Sequence, residues 1–299
     1  MWWRRFFVQG VFWRQGLRWA ILHVPLWLEP AVMAFWSLFF LLWGPGRRGV
    51  MCNLRAILPG TWALTNFFRT YRVFWNFAWT IADTVRFKEL RVAPDWEFAS
   101  LEHFEQLRSQ PGGAIILTAH MGNYDLGAHL FAEMSGRRIM MVRAPETDAE
   151  TRQFEEQQIA RTTAEGLTID FSTRASELAL DLLAALQRGE IIAIQGDRVT
   201  PGIASLPATL FGKPMHVPAG PFALAMAARV PIYPLFIMRQ GRRSYRLLTS
   251  KPFEVTRTRD RAESFERAVS IWTAELETVI RGAWFEWFTF TPYSVEPAA

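Results

Sequence analysis

From residue 114 onward the chain alternates short apolar runs with stretches of helical periodicity. The runs at 114–118, 138–142, 167–171, 191–195 and 232–238 are short, apolar and rich in β-branched residues, which predicts buried strands. Between them, residues 124–134, 153–164, 176–187 and 220–228 read as helices, and 245–250 as a hairpin partner for the strand before it. Residues 261–284 carry Phe265, Val269, Trp272, Leu276 and Ile280 at a period of 3.6 to 4, which predicts a long final helix. This order predicts an α/β fold, with a mostly parallel central sheet flanked by helices and ligands gathering at the carboxyl ends of the strands.

Upstream the pattern changes. Residues 1–46 are dominated by Trp, Phe and Leu with arginines between them, and 19–43 is long enough to cross a bilayer at roughly 20 residues per span. His23, Pro25, Glu29 and Pro30 interrupt it, so the cleaner part, 31–43, suits a re-entrant or interfacial helix as well as a span. The expectation is an N-terminal hydrophobic, membrane-anchoring helical segment, with a buried core helix as the alternative. No small-residue cleavage site follows it, which argues against a signal peptide. Arg4, Arg5, Arg14 and Arg18 precede it and Arg47 and Arg48 follow it, so charge gives no orientation. Between residues 53 and 87 a wide apolar stripe that includes Leu64, Phe68, Phe74 and Ile81 predicts a buried or membrane-facing helix. Three regions result: an anchor at 1–46, a helical connection at 47–110 and an α/β domain at 111–299.

Composition narrows the functional classes. Half of the residues are hydrophobic, with 14 Trp and 24 Phe, yet a fifth are charged, which excludes both a polytopic membrane protein and a disordered chain. The net charge of +5 admits anionic lipids, phosphorylated substrates or nucleic acid. The Arg-rich opening is interleaved with Trp and Phe, which fits a membrane interface and argues against nucleic acid. A single Cys52 excludes an internal disulfide framework and leaves a cytoplasm-facing body as the default; no metal-ligand spacing is present.

The stretch "TAHMGNYD" carries the strongest chemical signal. His120 follows a strand, Asn123 suits a helix N-cap, and Asp125 falls in the first turn of the helix. If His120 lies in the strand-to-helix turn, with Gly122 relaxing the backbone, Asp125 can reach back to the imidazole, fix its tautomer and leave it neutral as a general base. A satisfied turn histidine beside a capping acid is the bland alternative. No G-x-S-x-G elbow is present, so the nucleophile would be the substrate's own hydroxyl, which makes group transfer, most simply acyl transfer, the expected reaction.

Other candidates cluster after later strands. Asp197 and Arg198 end the strand in "IIAIQGDR", where the arginine could hold a phosphate or face an oxyanion and Asp197 could position it. Arg143 ends another strand and could meet an anionic substrate. Gly212 and Lys213 form a Gly-Lys loop, and Gly220 opens a small-residue helix that an acyl chain or head group could approach closely. Asn123, Arg143, Asp197, Arg198, Gly212, Lys213 and Gly220 therefore form the expected substrate-binding set. His23, His103, His129 and His216 receive no chemical role.

"TAHMGNYD" resembles the H-x4-[D/E] block of the lysophospholipid acyltransferase superfamily, in the form found in bacterial lipid A biosynthesis acyltransferases, the lauroyl and myristoyl transferases. "GDRVTPG", "LFGKPMHVPAGPFALA" and "RVPIYPLFIMR" are similar to later blocks of that group in order and spacing. The F-P-E-G-T block of glycerophosphate acyltransferases is absent, which argues against phosphatidic acid synthesis. The resemblance implies a bacterial inner-membrane enzyme with its catalytic domain on the cytoplasmic side. His120 and Asp125 would form its catalytic dyad. The acyl donor would be a thioester of acyl carrier protein or coenzyme A, the acceptor a lipid or glycolipid, and no cofactor or metal is implied. A noncatalytic lipid-binding protein and a lipid hydrolase are the alternatives.

Overall fold

The computed structural model describes residues 11–44, 46–143, 167–171, 175–200 and 202–294. Four helices come first: α1 (Val11–His23), α2 (Glu29–Trp43), α3 (Gly46–Ile57) and α4 (Ala63–Leu90). They are followed by β1 (Asp95–Phe98), α5 (Leu101–Ser109), β2 (Ala114–Thr118), α6 (Tyr124–Ser135) and β3 (Ile139–Arg143). Next come β4 (Leu167–Phe171), α7 (Ala175–Gln187), β5 (Ile191–Gln195), and the hairpin β6 (Ser205–Leu210) and β7 (Lys213–Pro218). The chain closes with α8 (Gly220–Ala228), β8 (Ile232–Gly241), β9 (Ser244–Thr249), α9 (Arg261–Gly282) and a 3-10 turn (Trp284–Glu286). The helix expected at 153–164 lies outside the described residues.

Seven strands form one sheet in the order β1-β9-β8-β2-β5-β3-β4, parallel at every pairing except the β8–β9 hairpin. The mostly parallel sheet flanked by helices is the expected architecture. β2 is buried along its whole length, and its side chains alternate between two cores: Ile115 and Leu117 meet α7, α8 and α9, while Ala114 and Ile116 meet α5 and α6. The sheet takes in β1, and α5 contributes Phe104 and Leu107 to the core, so both lie ahead of the boundary expected near Gln110.

The N-terminal segment is helical, and its first two helices are short. No helix among the described residues is long and apolar enough to cross a membrane. α1 has 13 residues and α2 has 15, separated by a break at residues 24–28 that contains Pro25. Glu29, only 2% exposed, pairs with Arg86 of α4 and Arg242 of the β8–β9 turn, which ties α2 to the protein body. Met33, Trp36, Phe40 and Leu41 pack against Phe74, Ala78 and Trp79 of α4 in a third core. The outer faces remain apolar: Trp19, Trp27, Phe35, Trp43, Trp62 and Phe68 are exposed.

Candidate active site

The site follows from strand register. β2 and β5 are parallel neighbours with Thr118 opposite Gln195, so the loops after them leave the same edge side by side. The Gly196 N–H donates to the carbonyl of Thr118 at 2.8 Å and carries the pairing one step past the strands. Two residues beyond each strand end stand His120 and Asp197, and the imidazole Nδ1 lies 2.7 Å from Asp197 Oδ1. Asp197 Oδ2 accepts from the His120 backbone N–H at 3.1 Å and from the Trp287 indole N–H at 2.9 Å. Three donors thus surround a carboxylate that is 1% exposed.

This arrangement reassigns the expected dyad. Asp125 is in the first turn of α6 as foreseen, but its carboxylate faces Arg143, with Oδ1 3.5 Å from Nη2. The partner of the His120 ring is Asp197, read beforehand only as a companion of Arg198. The physical reason is the β2–β5 pairing, which brings a residue 77 positions away closer to the ring than one five positions away along a turning backbone.

Burial sets the charge states. Burial lowers the His120 pKa and outweighs the opposing Asp197 carboxylate, while Arg198 and Arg143 lower it further. Burial alone would raise the Asp197 pKa, but the His120 ring, Arg198 and the Trp287 hydrogen bond more than reverse this, and the carboxyl lies well below its ordinary range. An ionised Asp197 requires the proton on Nδ1, which leaves Nε2 of a neutral imidazole free to accept one.

The loop geometry is fixed by its neighbours. Gly122 has φ 51°, and a Cβ there would run into the carbonyl oxygen of Ile237, so only glycine lets the turn lie against β8. Asn123 is 2% exposed; its side-chain oxygen caps α6 at the Leu126 N–H, and its amide nitrogen meets Thr80 O, Thr84 Oγ1 and Tyr245 Oη. Its amide is therefore engaged within the protein, as a cap and a link to α4, in place of the expected substrate contact.

An apolar pocket runs between the sheet and α6. Ile116, Phe131, Met141, Ala193 and Ile237 line it, with Thr118, Tyr124, Arg143 and Gln195 as its polar members. The Tyr124 ring stands edge-on to His120 with centroids 6.0 Å apart. Gly127 faces the pocket where a Cβ would overlap the Ile237 side chain.

The remaining candidates lie elsewhere. Gly212, with Phe211, forms the positive-φ turn of the β6–β7 hairpin, and Lys213 is exposed at the start of β7. Gly220 begins α8. Among the described residues none of the three hydrogen-bonds or ion-pairs with His120, whereas Arg143 and Arg198 both act electrostatically on its ring. Sequence reasoning missed Trp287, Tyr124 and Gln195. The last two lie inside motifs already singled out, but nothing local marks Trp287, which arrives from beyond α9.

No curated protein matches the chain. A family model, that of the bacterial lipid A biosynthesis acyltransferases, matches residues 19–292 and so takes in the first helices, the whole sheet and the segment bearing Trp287. With that match covering nearly the entire chain, the protein belongs to the bacterial lipid A biosynthesis acyltransferase family and is an acyltransferase.

Proposed function

We propose that this enzyme is membrane-associated and moves a fatty acyl chain from an acyl thioester, on acyl carrier protein or coenzyme A, to a hydroxyl or amine of a lipid or glycolipid, with His120 as general base. The carrying observation is the 2.7 Å contact of His120 Nδ1 with Asp197, the ring also meeting Tyr124 of an apolar pocket. Nε2 takes the proton of the acceptor as its oxygen or nitrogen attacks the thioester carbonyl. The new acyl bond forms, the C–S bond breaks, and the imidazolium returns its proton to the departing thiolate. Asp197, rather than Asp125, orients the ring and stabilises its charged form.

Arg143 and Arg198 suit the anionic parts of such substrates, a phosphate of the donor carrier or of the acceptor head group. The walls of the pocket are aliphatic and aromatic, which suits the apolar part of a substrate, and Tyr124, which lines it, also meets the reacting ring. Membrane association is supported by the exposed Trp19, Trp27, Phe35, Trp43, Trp62 and Phe68, with Arg48 and Arg55 exposed on α3 and Arg72 on α4. A bacterial inner-membrane location with the catalytic body on the cytoplasmic side, where acyl thioesters are made, fits this set.

The test is lipid profiling of deletion, wild-type and His120→Ala strains. The expected outcome is one lipid species that lacks an acyl chain in both the deletion and the His120→Ala strain. Unchanged lipids in the His120→Ala strain would refute the reading.

A further inference from the structure

We infer that Trp287 is a positioning residue of the transfer reaction: its indole N–H holds Asp197 in the orientation that keeps the His120 ring in its proton-accepting tautomer. The inference rests on the functional reading above, in which His120 is the base.

The geometry separates Trp287 from an ordinary core aromatic. Asp197 receives two of its bonds from His120 itself, one from the ring and one from the backbone, and both would drift together if the loop moved. The 2.9 Å bond from Trp287 Nε1 comes from a different part of the chain and fixes Oδ2 independently. A buried carboxylate that loses one of three donors is under-solvated, and rotation about its Cβ–Cγ bond toward another donor becomes favourable.

Trp287 also belongs to a backbone clamp on the loop. Met121 and Trp287 form an antiparallel bridge, the Gly122 N–H donates to the Glu286 carbonyl at 2.9 Å, and the Phe288 N–H donates to the His120 carbonyl at 2.8 Å. The clamp is anchored outside the site. Tyr293, whose ring lies 5.5 Å from that of Trp287, takes its backbone position from Asn53 Oδ1 at 3.1 Å and donates its hydroxyl to Leu210 O at 3.0 Å. From α9, Trp272 reaches the adjacent residue, donating to the Gly196 carbonyl at 2.9 Å. Asp197 and its neighbour are thus each held by one indole.

The decisive variant replaces Trp287 with 3-benzothienylalanine, which keeps the ring shape and deletes the N–H; Trp287→Phe is the genetic counterpart. Activity is read as thiol release from lauroyl-coenzyme A and lauroyl-acyl carrier protein, with total bacterial glycolipid in mixed micelles as acceptor. We expect kcat to fall about ten- to a hundred-fold with KM unchanged, the loss of one hydrogen bond to a charged group. With Asp197 rotated away, the ring loses the anion that stabilises its protonated form, so the ring pKa falls. The acid limb of the pH–rate profile should move to lower pH, and so should the His120 titration followed by NMR with ¹³C-labelled histidine.

A purely structural role would lower the melting temperature without moving the ring titration. If the isostere keeps wild-type kcat, pH profile and ring titration while His120→Ala is inactive, the inference about Trp287 falls and the functional reading stands. If His120→Ala itself transfers acyl groups at the wild-type rate, the functional reading falls. Should Trp287→Phe fail to fold, the isostere decides.

Discussion

Two carboxylates compete for the part of orienting His120, and their contacts give them separate work. Asp197 is buried with the ring nitrogen 2.7 Å away, while Asp125 is a quarter exposed and faces Arg143 at 3.5 Å. Asp197→Asn should trap the wrong tautomer and lower kcat by about a thousand-fold or more, as expected when the carboxylate of a His–Asp pair is neutralised. Asp125→Asn should act through Arg143, raising KM for an anionic substrate and changing kcat by no more than about ten-fold. Steady-state kinetics on the two variants check this; equal kcat losses would return the orienting role to Asp125. The same ring sets the pH response. Burial lowers its pKa from the ordinary 6.5, so the ring stays neutral on the acid side of that value. The plateau of kcat/KM should therefore extend below pH 6.5 and fall only as the depressed pKa is approached; an acid limb at or above 6.5 would contradict the assignment.

At the level of elements, legibility tracked burial on both faces. β2 and β5 were readable because each is an unbroken apolar run packed between two cores. β1, "DWEF", alternates exposed and half-buried positions at the sheet edge, and the β6–β7 hairpin is likewise partly exposed and contains three prolines, so neither has the signature of a buried strand. The site divided the same way. His120 stood out from its local context, but its partner depends on β2 and β5 being neighbours, and strand order is not written in any local pattern. The segment after α9 was opaque for the same reason: Phe288 and Phe290 pack on Phe77 of α4, and Glu286 is buried near Arg239 and Arg72. Burial raises the Glu286 pKa from 4.5 to about 8, against the pull of these two arginines. The folded state then holds this proton more tightly than the unfolded chain, so the contribution to stability is complete below about pH 4.5 and is lost as pH rises through about 8. Glu286→Gln should flatten that decline and raise the melting temperature at pH 8 by a few degrees, with little change at pH 5. Thermal melts at the two pH values decide it, and an unchanged pH slope would exclude Glu286 as its source.

The whole molecule joins a greasy helical layer to a soluble-type sheet, and the join runs through the site. α4 meets the loop directly: Thr80 and Thr84 bond Asn123, the cap of the helix that follows His120. The family match begins at residue 19, inside α1, so the layer belongs to the family's common body and is not merely appended to it. For the proposed membrane association, the charges argue for a surface seat over a span, since Glu29 is committed to Arg86 and Arg242 within the fold and could not follow α2 into hydrocarbon without leaving two arginines unpaired. What remains outward is aromatic and basic, the composition that lies at a headgroup boundary. Trp27 and Trp62, 79% and 84% exposed, are the most direct probes, because they contribute little to the core. The double variant Trp27→Ser with Trp62→Ser should lower partition onto vesicles of phosphatidylethanolamine and phosphatidylglycerol by about ten- to a hundred-fold while leaving the melting temperature unchanged. Raising salt should weaken the wild-type protein further only through its arginines, so a sizeable salt-resistant fraction is expected to stay bound. Sedimentation with vesicles measures both effects. A double variant that binds like the wild type would remove the apolar face as the membrane contact, and complete release by salt would assign binding to charge alone.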